Sequence, residues 1–352
     1  MGINLLQPKV PNYENLAPYI KRIDSVGMYS NFGPLNEELI SRLSNYFKVD
    51  GTQIHSVSNA TQGLCGALQI LSSNVNESWE LPSWTFAATA AAIKQSKLEG
   101  TFCDVDEQWR VIPGNTKNHI LDVLPFGDGL RSVPITNNYN FKVIDGAASF
   151  DALKGVGNAL DSKSILIISM HATKLLAGGE GGIVITKNDE WSAKFRSWTN
   201  YGFDGSRISI NDGTNAKISE YTAAIALASL DQWEEVREKL LKSSIIALEI
   251  SNNLGLSVNP SMSSGYATPY WIIKCNSIDQ KKRFVTSLKN NSIASRDWWE
   301  AGCHKMPAFS NFNKSNLMNT ELLAAQTLGL PFHYFLNEKD FVNIYDALSS
   351  VK

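Results

Sequence analysis

Short apolar runs recur along this chain, each followed by a polar turn and then by a segment with helical spacing, and that alternation limits the fold more than any other feature. Leu35, Leu39, Ile40, Leu43 and Phe47 repeat at the interval of a helix with one buried face. Residues 54–58 then read as a strand, which runs through Asn59, Ala60 and Thr61 into a helix rich in small residues that starts near Gln62 and reaches Leu71. The pattern continues through 79–82 and an alanine-rich helix over 86–93, with strands expected at 101–104, 120–124, 142–145, 165–169 and 182–186. Short apolar strands separated by helices imply an α/β architecture, a mainly parallel sheet covered on both faces.

Beyond this run the pattern changes. Residues 218–253 read as one long helical stretch, able to connect two lobes. A strand at 270–275 and helices at 279–289, 321–328 and 338–348 then suggest a smaller α+β unit. The expected division is a large domain over 1–235 and a small one over 236–352, which a chain of 352 residues with 43% hydrophobic composition can support. No repeat or low-complexity tract interrupts it, and the polar stretch 206–214 is the best candidate for a mobile loop.

Charge excludes some functions. With 32 basic and 34 acidic residues the net charge is −2, and no long run of either sign offers a nucleic-acid groove or a polybasic membrane patch. No apolar segment approaches a membrane span, and Met1, Gly2, Ile3 and Asn4 lack the order of a signal peptide, so a cytosolic protein is expected. Cys65, Cys103, Cys275 and Cys303 are scattered without a CxxC pair, which argues for free thiols over a zinc site or a disulfide framework.

One segment carries chemistry. The apolar run 165–168 ends in Ser169, Met170, His171, Ala172, Thr173 and Lys174, and the chain then turns back through Gly178, Gly179, Glu180, Gly181 and Gly182 into another apolar run. An amine is thereby placed at the end of a strand, where it can add to a carbonyl and shuttle protons. Asp145 ends another strand and leads into Gly146, Ala147 and Ala148. Taken alone, a carboxylate there is as readily a cap for the following turn.

These segments resemble the signature of the DegT/DnrJ/EryC1/StrS family of sugar aminotransferases, which use pyridoxal 5′-phosphate (PLP). Further landmarks occur in the family's order, from Ser30, Asn31, Phe32, Gly33, Pro34 and Leu35 near the start to Leu328, Gly329, Leu330, Pro331, Phe332 and His333 near the end. The resemblance implies a fold-type I PLP-dependent transferase with Lys174 as the catalytic amine that holds the cofactor. Asp145 would face the pyridine nitrogen, and Ala60 and Thr61, at a helix start where free amides favour an anion, would form part of the phosphate cup. Ser169 would also reach the phosphate, and Phe86 would cover the ring, with Trp84 as its competitor. Asn215 matches an asparagine that reaches the phosphate from the neighbouring subunit, which makes a homodimer part of the expected site. The chain departs from the family at Ala148, where Gln or His is usual and contacts the ring hydroxyl; Ser149 follows. His171 is either a structural histidine or a substrate contact. Trp298, Trp299 and His304 fall in a segment resembling a C-terminal stretch of the family and are candidate substrate contacts.

Rival readings fit less well. Gly155 and Gly157 begin a dinucleotide fingerprint, but Leu160 holds the third glycine position and no apolar strand leads directly into it. The glycines at 178–182 are not followed by the Gly-Lys-Ser/Thr of a phosphate loop. A PLP-fold regulator that binds without turnover remains the alternative of a different class. The expected reaction moves an amino group from L-glutamate to a nucleotide-linked 4-keto-6-deoxyhexose, giving dTDP-4-amino-4,6-dideoxy-D-glucose for a surface polysaccharide such as O-antigen. Amination at carbon 3, and UDP or GDP as the nucleotide, stay open, and no metal is expected.

Overall fold

A computed structural model of the protein describes residues 2–72, 77–114, 119–130 and 139–352. Its strands are β1 (Ile54–Val57), β2 (Ser78–Pro82), β3 (Glu99–Cys103), β4 (His119–Val123), β5 (Lys142–Asp145), β6 (Ser164–Ser169), β7 (Gly182–Thr186), β8 (Ser257–Val258), β9 (Trp271–Lys274), β10 (Asn313–Lys314) and β11 (Thr327–Leu330). The helices are α1 (Tyr13–Val26), α2 (Pro34–Phe47), α3 (Ala60–Leu71), α4 (Ala87–Gln95), α5 (Asp189–Trp198), α6 (Glu220–Asp231), α7 (Trp233–Leu254), α8 (Ile278–Asn290), α9 (Met318–Gln326) and α10 (Glu338–Ser349).

Among the described residues, eight strands make one sheet in the order β1-β7-β6-β5-β4-β2-β3-β10. From β6 to β10 every neighbouring pair is parallel, while β7 runs antiparallel to both β6 and β1. The sheet is buried on both faces, and β6 shows why its sequence is a continuous apolar run. Ile165 and Ile167 enter the core beneath α3, α4 and α5, while Leu166 and Ile168 enter the core on the other face with α2, α6 and α7. Each such side chain contributes about 1.5–3 kcal/mol by burial. Cys65, Cys103, Cys275 and Cys303 are buried free thiols, and burial pushes those of Cys103, Cys275 and Cys303 up to about 12.

The second sheet, in the order β11-β9-β8, is antiparallel. Its strands follow residue 236, yet β10, from the same part of the chain, pairs with β3 of the large sheet.

Several elements differ from the sequence expectation. The helical stretch 218–253 is two helices, α6 and α7, that meet at Gln232, which ends one and begins the other. Glu220, in the first turn of α6, is buried because its carboxylate accepts from the amides of Leu35 (2.7 Å) and Asn36 (3.0 Å), capping α2, whose own N-cap Gly33 has no side chain to do so. The helix expected over 321–328 ends at Gln326, because residues 327–330 pair with β9, setting Leu328 opposite Ile273 and Leu330 opposite Trp271. Helices α1 and α5 were not singled out by spacing. Segment 206–212 is exposed, and backbone bonds from Ile210 to Gly202 and from Thr214 to Trp198 tie it down. No helix among the described residues is long and apolar enough to cross a membrane.

Candidate active site

Lys174 lies in the turn that follows β6. Backbone bonds pair Met170 with Gly181 and with Gly178, and Ala172 with Gly179, so the turn is laced to the glycine-rich segment that returns into β7. Gly182 has a steric reason: a Cβ there would lie 2.8 Å from the Ala60 amide nitrogen, so only glycine lets β7 pass this close to the start of α3. The sheet thereby brings the lysine turn and a helix N-terminus together.

That terminus is open. The Asn59 side chain caps α3 by accepting from Gln62 N at 2.9 Å, and the Asn59 carbonyl takes Gly63 N. The helix consequently begins at Ala60, two residues before the expected start, and the amides of Ala60 and Thr61 have no acceptor among the described residues.

Asp145 ends β5 and is 7% exposed. Its Oδ2 accepts from Thr89 Oγ1 at 2.8 Å and its Oδ1 from Ala147 N at 3.1 Å, while Thr85 and Thr89 share a further hydroxyl contact of 2.8 Å. Burial raises its pKa above the usual carboxylate range, against the opposing pull of those two hydrogen bonds and of the Lys174 charge. Such a group favours a cationic partner that lifts the cost of its own charge.

One cavity of about 400 Å³ gathers most of the residues expected from sequence: Ala60, Thr61, Phe86, Asp145, Ala148, Ser169, His171, Lys174, Trp298 and Trp299 all line it. Phe86, the N-cap of α4, is 64% exposed and lines the cavity, whereas Trp84 is buried edge-on against Trp299. Ser169 Oγ accepts from the His171 amide, and His171 Nδ1 shares a 2.8 Å contact with Thr173 Oγ1. Ser149 is buried outside the lining, its Oγ without a partner among the described residues.

Asn215 and His304 lie elsewhere. Asn215 forms a β-bridge with Asn200, and His304 Nδ1 shares a 2.7 Å contact with Ser83 Oγ while its Nε2 is 3.4 Å from Glu321. The cavity also contains residues that sequence reasoning missed. Tyr270 Oη accepts from Lys174 Nζ at 2.8 Å, Phe126 stacks on Trp299 at 4.0 Å, and the Arg296 guanidinium sits 5.1 Å from the centre of the Trp298 ring. Gly329 offered one signal for this wall, since a Cβ there would collide with the Trp298 indole. A larger hollow, about 700 Å³, lined by residues of α2, β1 and α5, contains none of the expected site residues. No cluster of three potential metal ligands occurs among the described residues.

The whole arrangement suits a planar anionic cofactor: an amine, a buried carboxylate, aromatic walls and free amides line one space. Comparison with known proteins agrees. The family model described as the DegT/DnrJ/EryC1/StrS aminotransferase family matches residues 12–122 and 133–349. The dTDP-4-amino-4,6-dideoxy-D-glucose transaminase of Shigella dysenteriae is 25% identical, with 99% of each chain covered. The UDP-2-acetamido-2-deoxy-3-oxo-D-glucuronate aminotransferase of Pseudomonas aeruginosa is also 25% identical, over 94% of each chain. Among solved structures, the Helicobacter pylori aminotransferase PseC, involved in pseudoaminic acid biosynthesis, superposes with a TM-score of 0.84 at 16% identity, covering 100% of this chain and 99% of that one.

Proposed function

The chain belongs to the DegT/DnrJ/EryC1/StrS aminotransferase family, and on that premise we propose that it is a PLP-dependent enzyme that moves the amino group of L-glutamate to carbon 4 of a nucleotide-linked 4-keto-6-deoxyhexose. It is a sugar aminotransferase by family; the finer reading concerns its substrates. The observation that carries the reading is the sharing of one cavity by Lys174 and the buried Asp145.

The residues fit PLP. Asp145 is a buried carboxylate whose ionisation is costly alone and is relieved by a protonated ring nitrogen. Ala60 and Thr61 offer amides, and Ser169 a hydroxyl, for a phosphate. Phe86 supplies an exposed aromatic face for the ring. When bound, PLP supplies an electron sink for negative charge on the carbon beside the amine. Lys174 Nζ would hold the cofactor and, when free of it, would act as the base and acid that carries the proton between donor and cofactor. Asp145 would keep the ring nitrogen protonated. Arg296 has no carboxylate partner among the described residues and lies over Trp298, where it is placed to attract the carboxylates of glutamate or the diphosphate of the sugar. The acceptor we favour is dTDP-4-keto-6-deoxy-D-glucose, supported by the near full-length match to the Shigella transaminase. We further place the enzyme in the cytoplasm, as a homodimer in which Asn215 serves the partner's site, making an amino sugar for a surface polysaccharide.

Visible absorption of the PLP-reconstituted protein tests this. The cofactor band should disappear on adding L-glutamate and return with the dTDP-linked 4-ketosugar. A band restored only by a 3-ketosugar would move the reaction to carbon 3. A band that glutamate leaves unchanged would reject glutamate as donor, and no band at all would overturn the reading.

A further inference from the structure

Tyr270 comes to Lys174 from the far side of the chain, 96 residues along, at the start of the second sheet. Its ring is held independently of the lysine. Trp298 meets it edge-on at 4.9 Å and Phe126 at 5.6 Å, and the residue is 7% exposed. Its carbonyl accepts from Asn259 Nδ2 at 3.4 Å, and Asn259 Oδ1 takes the Ile272 amide at 2.8 Å, which braces the same strand. A ring clamped this way has one place for its hydroxyl, and that place is 2.8 Å from the reacting amine.

A phenol accepts and donates. In PLP the ring hydroxyl sits on the carbon adjacent to the one that bears the aldehyde, so a group bonded to the amine that joins the aldehyde carbon is a neighbour of that oxygen. Ala148, which lines the same cavity, has no side-chain donor to offer it. We propose that Tyr270 is a catalytic residue that orients Lys174 Nζ and donates a hydrogen bond from its hydroxyl to the ring oxygen of the bound cofactor, a task no side chain at position 148 performs in this chain. The inference rests on the PLP reading above.

Removing the hydroxyl alone tests it, with the cofactor's visible spectrum as the readout. Losing a donor to a negative oxygen disfavours the deprotonated form of the bound cofactor. In Tyr270→Phe the pH midpoint of the visible band should therefore move up by about one unit, the size expected for one hydrogen bond to a charged group. PLP should also dissociate about tenfold more readily, with the melting temperature of the apoprotein nearly unchanged. An identical midpoint and dissociation constant in Tyr270→Phe and wild type would overturn the proposal for Tyr270 while leaving the PLP reading in place. A wild-type protein that forms no visible band with PLP would overturn both.

Discussion

The two sides of the cavity are built on different principles. Lys174, Ser169 and Asp145 stand at or just past the ends of parallel strands whose side chains fill two buried cores, so their positions follow from the register of the sheet. Arg296, Trp298 and Trp299 stand on an irregular segment, where Trp299 (φ 46°) and Glu300 (φ 50°) occupy the left-handed region and Trp299 is held by stacking on Phe126, itself at φ 53°. Conformations of that kind cost about 1–3 kcal/mol each and persist only where packing imposes them. The carbonyl of Phe126 supplies part of that packing by accepting from Ser261 (2.9 Å) and Thr268 (2.7 Å). On the proposed function, we read this difference as a division of labour: reaction chemistry at the strand ends, and substrate choice on a wall that a different sequence can rebuild without disturbing the sheet.

If that division is right, changes on the strand side should damage every half-reaction. Lys174→Ala has the largest expected effect, a loss of about 10³-fold or more in steady-state turnover with any donor or acceptor, while pyridoxamine phosphate still binds. Wild-type-like rates would remove the lysine from the chemistry. Asp145→Asn should cost about 10²-fold in both half-reactions, measured by stopped-flow absorbance.

The same substitution should act oppositely on stability. An acid whose folded pKa is raised binds its proton more tightly in the folded state, so the stability it confers is present at low pH and is lost as pH rises through the folded value. Asp145→Asn should therefore make the apoprotein more stable at neutral pH, by about 1 kcal/mol, with the advantage vanishing in acid; denaturant melts at two pH values check this. An apoprotein destabilised at neutral pH would refute the account of Asp145 as a costly buried charge.

On the aromatic wall the expected loss is selective. Trp299→Ala should raise KM for the ketosugar about tenfold and leave the glutamate half-reaction within a factor of about three. Equal damage to both halves would erase the distinction drawn here. The smallest effect is expected for His304→Ala. Its ring is engaged with Ser83 and Glu321 outside the cavity, so turnover should stay within about threefold and stability should fall by about 1 kcal/mol.

What was legible in the sequence follows this division. β5 and β7 have the bounds expected from the sequence, because in a strand buried on both faces a short apolar run flanked by polar or small residues leaves little room to shift its limits. The start of α3 was legible to within two residues, with Asn59 as the reason for the difference. The helix expected over 321–328 failed because antiparallel pairing with β9 outcompeted a local helical pattern. Trp298 and Trp299 could be picked out, yet nothing in their spacing distinguished them from His304, which the fold directs to Ser83 instead.

By itself, the sequence determined the mainly parallel sheet and put a carboxylate and an amine at or just past two strand ends, because strands buried on both faces read as continuous apolar runs whose limits show where the next polar residue emerges. Only the tertiary structure decided that Tyr270 meets Lys174, that Thr89 meets Asp145 and that Arg296 lies over Trp298 in the same cavity. The first two join residues 56 and 96 positions apart, and long-range contacts of this kind depend on how sheets and loops pack against each other, which leaves no periodic mark along the chain.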